Sequence, residues 1–172
     1  VHYHNSYFVG FLMDGILLLE KQKETNHYQI QSLPINSGVF CLKKDRFQDV
    51  VWIGTDGQGV YLYSNPLYSI KSMVLSNYTE KIERPVRAIY LDDERTFWVG
   101  TKGNGILKIY DYEFDKNISD CRAEVLTTSN SALSSNAVYC FAKSHRNLLW
   151  IGDEEGLTYY SYREKRIKSI PI

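Results

Sequence analysis

Four times along this chain an aromatic residue, a β-branched residue and a glycine recur in the same order, and no other feature restricts the fold as strongly. The units are Phe8-Val9-Gly10, Trp52-Ile53-Gly54, Trp98-Val99-Gly100 and Trp150-Ile151-Gly152. After a short polar turn each is followed by a glycine and an alternating apolar segment: Gly15-Ile16-Leu17-Leu18, Gly59-Val60-Tyr61-Leu62-Tyr63, Gly105-Ile106-Leu107-Lys108-Ile109-Tyr110 and Gly156-Leu157-Thr158-Tyr159-Tyr160. The glycines at 10, 54, 100 and 152 are spaced by 44, 46 and 52 residues. A period of that size with several short strands per unit matches the four-stranded blade of a β-propeller. Helical solenoids of similar period need apolar residues at i, i+3, i+4 and i+7, and no window sustains that spacing.

A further strand recurs upstream of three units: Val39-Phe40-Cys41-Leu42, Val86-Arg87-Ala88-Ile89 and Val138-Tyr139-Cys140-Phe141, with the Val preceding its Trp by 13, 12 and 12 residues. These read as innermost strands, and residues 68–75, 122–126 and 166–170 read as outermost ones. Nothing precedes Phe8 at the corresponding distance, so the first blade is expected to lack its inner strand. The expected fold is therefore all-β, a β-propeller fragment of about four blades, one partial and three full. Each blade is a four-stranded antiparallel sheet within a single unit of residues 1–172, at approximately 6–35, 37–76, 84–127 and 136–172. The glycine after Trp-Ile/Val is expected where a side chain would collide with a neighbour, and the glycine opening the next strand where a tight turn needs φ > 0. Gly57 with Gly59 and Gly103 with Gly105 belong to those turns, since no helix follows to make a phosphate loop.

The chain opens in mid-repeat on Val1, so upstream sequence is expected. An arc of about four blades leaves the apolar faces of its terminal blades uncovered and the first sheet with a free edge. The partners expected from this are other propeller blades of a parent chain, or self-association of the fragment.

Composition narrows the function. Twenty basic and twenty acidic residues give no net charge, which excludes the basic footprint of a nucleic-acid binder. Fourteen Tyr, seven Phe and three Trp against four Pro favour strands. No apolar stretch approaches the ~20 residues that cross a bilayer, and no signal-peptide pattern stands at Val1. No Ser, His and Asp combine into a nucleophile motif, and paired carboxylates of the kind a propeller lyase or glycosidase would need are not supplied by the repeat. An enzyme is not expected, nor any cofactor. His2 and His4 alternate along one strand without a third ligand nearby, and no two cysteines have zinc spacing, so no metal site is expected.

Cys41 and Cys140 share a slot with Ala88, which marks a small buried position where inner strands crowd; a disulfide between alternate blades is too long. Cys121, in a polar insert, reads as an unpaired surface thiol. The acidic runs Asp92-Asp93-Glu94 and Asp153-Glu154-Glu155 read as solvated turns. The tryptophans read as sheet-to-sheet contacts rather than platforms for sugars. Candidate ligand contacts lie off the apolar grid: Asp56, Gln58, Lys102, Asn104 and Glu154 between second and third strands, and Asn36, Arg84 and Asn136 leading into inner strands. In a propeller both loop sets gather on one face beside the channel mouth. Asn77-Tyr78-Thr79 and Asn117-Ile118-Ser119 match the glycosylation pattern, which matters only in a secreted eukaryotic protein.

The phrases Val51-Trp52-Ile53-Gly54-Thr55-Asp56-Gly57-Gln58-Gly59-Val60 and Phe97-Trp98-Val99-Gly100-Thr101-Lys102-Gly103-Asn104-Gly105-Ile106, with Leu133-Ser134-Ser135-Asn136-Ala137-Val138 ahead of the fourth unit, closely resemble the two-component regulator propeller repeat. That repeat typifies periplasmic sensors of hybrid two-component systems in saccharolytic gut bacteria. The first unit departs from it, with Phe8 for Trp and Met13-Asp14 for the Gly-rich turn. The resemblance implies a ligand-sensing propeller that recognises oligosaccharides on the periplasmic face of the inner membrane. It also implies signalling to a histidine kinase in a membrane-anchored parent. A protein–protein interaction scaffold is the alternative. The motif residues are architectural, and the resemblance transfers no catalytic or binding residue.

Overall fold

The computed structural model describes residues 1–25, 27–64, 69–73, 84–112 and 121–170, with side chains described outside 69–73. Among them are sixteen strands in four four-stranded antiparallel sheets, each in simple sequence order. The first sheet holds β1 (His2–Tyr3), β2 (Ser6–Gly10), β3 (Ile16–Lys21) and β4 (Tyr28–Ser32). The second holds β5 (Val39–Lys44), β6 (Val50–Thr55), β7 (Val60–Ser64) and β8 (Ser69–Met73). The third holds β9 (Val86–Leu91), β10 (Phe97–Thr101), β11 (Ile106–Ile109) and β12 (Ala123–Leu126). The fourth holds β13 (Val138–Lys143), β14 (Leu148–Asp153), β15 (Gly156–Ser161) and β16 (Arg166–Ser169). The all-β propeller architecture expected from the repeat is the one observed. The inner strand β9 touches both β5 and β13, so the sheets meet along their inner edges.

Each sheet buries one face against the next, because alternate residues of a strand point to opposite sides. Three apolar clusters result, one per junction. Phe8, Ile16 and Leu18 meet Val39, Val51, Ile53 and Tyr63. Trp52, Val60 and Leu62 meet Val86, Phe97, Leu107 and Ile109. Trp98 and Ile106 meet Val138, Leu149, Ile151 and Tyr160. The repeat's aromatic residue is the centre of each junction. Trp52 stacks on Phe97 at 4.1 Å and Tyr112 at 5.2 Å, and Trp98 sits 4.8 Å from Tyr160. Phe8 does the same for the first sheet at 4.7 Å from Tyr63, so Phe substitutes for Trp without losing the junction.

The glycine after the aromatic unit has a steric cause. A methyl group on Gly100 would lie 2.8 Å from Val138 Cγ1, and one on Gly54 would lie 2.9 Å from Val86 Cγ1. The Val that opens each inner strand therefore closes onto the preceding sheet's glycine, and both halves of the repeat are explained by one contact.

Several sequence expectations are corrected. The first sheet does have an inner strand, reduced to two residues: β1 pairs with β2 through His2↔Tyr7 and Tyr3↔Ser6. Tyr3 holds it there, buried against Phe8 and Tyr63 with its hydroxyl donating to the Asp49 carbonyl at 2.8 Å. The pattern also passed over β4, whose exposed residues show no alternation of burial. Cys121 is no surface thiol but lies in the junction core around Trp52. Cys140 is exposed, because the face of the fourth sheet that carries it meets no further sheet. Its equivalent Cys41 is half-buried between sheets, and desolvation pushes its pKa up to about 12.

The acidic runs are likewise not uniformly solvated. Asp92 is buried, accepts the Trp98 indole N–H at 2.9 Å, and takes the backbone N–H groups of Glu94 and Thr96. Asp45 repeats this with Trp52 at 2.8 Å. Asp153 is buried too, accepting Ser134 Oγ at 2.7 Å and two turn N–H groups. In each case a carboxylate satisfies turn donors that would otherwise be stranded. The expected outer strand 68–75 extends beyond β8 into residues outside the described ones, as do both glycosylation patterns.

Candidate functional site at the inner-strand mouth

The loops singled out from the sequence form one continuous rim. Asp56 N–H donates to Gly38 O, Lys102 N–H to Pro85 O, and Glu154 N–H to Ala137 O, so each strand-connecting turn is tied to the loop leading into its own inner strand. The Asn136 carbonyl accepts both Gly103 and Gly105 N–H at 2.9 Å, which ties the third sheet to the fourth. Lys102, Asn104 and Asn136 are thereby brought together, and Arg84 lies beside Gly103. Ser37 Oγ donates to the Asp56 carbonyl, placing Asn36 next to Asp56. Gln58 accepts the Tyr61 hydroxyl at 3.1 Å. Asn36, Asp56, Gln58, Arg84, Lys102 and Glu154 are exposed, while Asn104 and Asn136 are half-buried. The Asn136 side chain is occupied, accepting Thr128 N–H at 2.9 Å.

Just inside this rim lie three residues that the sequence reading passed over. In every full sheet the inner strand slips by one residue at its second position. Val39 pairs with Thr55 and Cys41 with Gly54, leaving Phe40 over. Arg87 and Tyr139 are left over in the same way in the third and fourth sheets. A bulged residue is turned out of the ladder and re-aimed. Here the three converge: the Arg87 guanidinium lies 5.2 Å from the Phe40 ring centre and 5.0 Å from the Tyr139 ring centre. The signal in the sequence was a bulky, variable residue between the Val and the small residue of each inner strand.

A second polar cluster sits on the third sheet away from the rim. Lys108 occupies the slot that Leu62 fills in the second sheet, and its side chain is only 3 % exposed. Its ammonium donates to Glu124 at 2.8 Å, to Tyr110 Oη at 2.8 Å and to Tyr160 Oη at 3.3 Å, beneath the rings of Trp98, Tyr110 and Tyr160. Burial lowers the Lys108 pKa, partly offset by the Glu124 carboxylate. Burial works against the Glu124 carboxylate, but hydrogen bonds from Lys108 and Tyr110 outweigh it and hold its pKa below the usual carboxylate range. All three ammonium protons have acceptors, so Lys108 has no donor left for a ligand and reads as a structural cation.

A cleft of about 560 Å³ lies at the opposite end of the inner strands between Arg46 and Lys143, Ser144, His145 and Asn147. Its two cations share a single carboxylate, since Asp93 pairs with both Arg46 and Lys143. At the rim, by contrast, Arg84, Arg87 and Lys102 form no ion pair or side-chain hydrogen bond among the described residues. Charge availability therefore favours the rim over this cleft. Among the described residues no group of three or more His, Cys, Asp and Glu side chains is placed to hold a metal.

The fold and this rim define the chain as a β-propeller fragment built by stacking repeats. No protein family and no curated protein matches its sequence. Solved structures do match. Two are of the extracellular domain of BT4673 from B. thetaiotaomicron, described in one case as a one-component system and in the other as a hybrid two-component system. They share 19% identity with this chain, cover 90% of it and 20% of their own length, and have TM-scores of 0.66 and 0.64. PorZ, a surface component of the type-IX secretion system of Porphyromonas gingivalis, matches with a TM-score of 0.68, 14% identity, 94% of this chain and 24% of its own. The chain thus spans a fifth to a quarter of the structures it resembles, and at these identities the likeness is one of fold.

Proposed function

We propose that this chain is part of an extracytoplasmic ligand-sensing propeller of a two-component regulatory system. It contributes to recognition of an oligosaccharide and passes the signal to a histidine kinase elsewhere in a parent anchored in the inner membrane, with the propeller on the periplasmic side. The observation that supports this most is the shared fold with the BT4673 extracellular domain over nine-tenths of the chain, alongside the repeat phrases. The chain itself is a binding module and not an enzyme in this reading. Binding of the 172-residue chain to an immobilised panel of oligosaccharides tests it; retention of particular saccharides is expected, and a panel without any retained saccharide counts against it. The fold shared with PorZ favours a second reading, a protein-interaction scaffold, in which the same rim holds a polypeptide and no saccharide binds.

The end faces supply the proposed partners. Trp150 stands in the slot from which Trp52 and Trp98 dock onto the next sheet, and it is half-buried with no sheet opposite it. At the other end Tyr7 occupies the slot of Phe97 and Leu149, and with Val9 and Ile30 it leaves an apolar face that is 40–63% exposed. In a longer parent, further blades cover both. By itself the chain is expected to associate head-to-tail through these faces, giving a mass above the monomer in light scattering. Ile30→Lys with Leu157→Lys is expected to restore the monomer. A wild-type monomer would refute the association.

A further inference from the structure

Phe40, Arg87 and Tyr139 come from three different sheets, each as the bulged residue of an inner strand, and they meet in one place. Folding alone does not require this. The three junction cores are complete without them, and none of the three belongs to a core cluster. Arg87 is half-buried, and its Nε–H is buried with no acceptor. A stranded guanidinium donor is destabilising, so a persistent one in a cleft calls for an acceptor that comes from outside. The rings hold the guanidinium by its faces. None of its N–H groups has a hydrogen-bond partner among the described residues, so the group keeps its capacity for paired bonds to a planar anion.

The surroundings set the sign of the ligand. Arg84 and Lys102, at the mouth of the same sheet, have no acidic partner among the described residues. The exposed acids of the rim, Asp56 and Glu154, belong to the sheets on either side. In a chain without net charge, three unpaired cations are thus gathered on the third sheet. Two aromatic rings flanking them, with Tyr139 exposed, offer flat apolar surface of the kind a pyranose face covers.

We propose that Phe40, Arg87 and Tyr139 form the ligand site of this propeller, and that it takes an acidic sugar unit. The carboxylate or sulfate group of that sugar bonds to Arg87, and its ring lies against Phe40 and Tyr139. This rests on the oligosaccharide reading above and names the substrate class. Arg84 and Lys102 draw the anion towards the mouth without being required for the contact.

The test uses the 172-residue chain and D-glucuronate, with D-glucose as the neutral probe and glucose 6-sulfate to separate carboxylate from sulfate. In a nitrogen-15 spectrum of arginine side chains, the Arg87 Nε–H signal is expected to shift with an anionic sugar and to stay in place with glucose. Arg87→Met, which keeps the stem between the rings, is expected to weaken binding by about tenfold or more. Tyr139→Ala is expected to weaken it by less, and Arg46→Met, in the opposite cleft, not at all. An Arg87 signal that neither anion moves overturns the site whether or not any variant folds. If neutral oligosaccharides bind the panel equally to wild type and Arg87→Met, the sensor reading survives and this site falls. If the anions shift Arg87 while no oligosaccharide is retained, the anion site stands, and both the assignment to a sugar and the sensor reading fall.

Discussion

Replacing Trp98 by alanine is expected to destabilise the chain by about 3–5 kcal/mol, whereas the same change at Trp150 is expected to cost about 1 kcal/mol. The two residues hold the same place in the repeat, so sequence pattern gives no reason for a difference. Their surroundings do. Trp98 is fully buried at the junction of the third and fourth sheets, 4.8 Å from Tyr160 and 6.2 Å from Phe141. Its indole N–H donates to a buried Asp92 that also receives the Tyr162 hydroxyl at 3.2 Å. Truncation there opens a cavity between two sheets and leaves a buried carboxylate with one donor fewer. Trp150 faces outward from the last sheet, and the residue matching Asp92 is Ser144, whose hydroxyl accepts the Arg146 N–H but not the Trp150 indole. Urea unfolding of the two variants checks this. Equal losses would show that the tryptophans act within sheets and not between them.

Gly105→Ala is expected to be similarly severe, at about 3 kcal/mol, and Gly57→Ala to cost about 1 kcal/mol. Both glycines have positive φ, +75° at Gly105 and +80° at Gly57, so each variant bears the left-handed strain of an L-residue. Only Gly105 adds a collision. A methyl group there would lie 2.2 Å from the Leu126 carbonyl oxygen, which is backbone and cannot swing aside. At Gly57 nothing lies within 4 Å. Thermal unfolding of the pair separates the two contributions; if both variants lose the same stability, backbone conformation alone explains these glycines.

The same contrast shows what could be read without coordinates. The aromatic unit, its glycine and the Gly-led strand were legible because each expresses a local requirement: alternation along a strand, φ > 0 in a turn, no Cβ at a close approach. Their recurrence at propeller spacing then carried the architecture. The stub β1 was not legible, since it depends on Tyr3 finding Phe8 and on a hydrogen bond to Asp49, which is 46 residues away. Cys121 looked like a surface residue for a similar reason. The residues around it are polar, and its burial comes from the neighbouring sheet.

The candidate rim was found from the sequence because its residues stand outside the apolar grid, and the hydrogen bonds of Asp56, Lys102 and Glu154 to the inner-strand loops bring them to one edge. Arg87 was hidden by the very regularity that revealed the fold. Within its own strand it reads as one more outward residue of an alternating segment. What sets it apart is a one-residue slip in the ladder, together with two rings from sheets whose equivalent positions lie 47 residues before it and 52 after. The chain alone therefore determined that similar sheets would form and stack, because each sheet's requirements are met by its own neighbours in sequence. Which side chains would share the space along the inner edges was decided only when the sheets came together. Contacts between residues so far apart depend on the angle and spacing of whole sheets, and no short stretch of sequence encodes those.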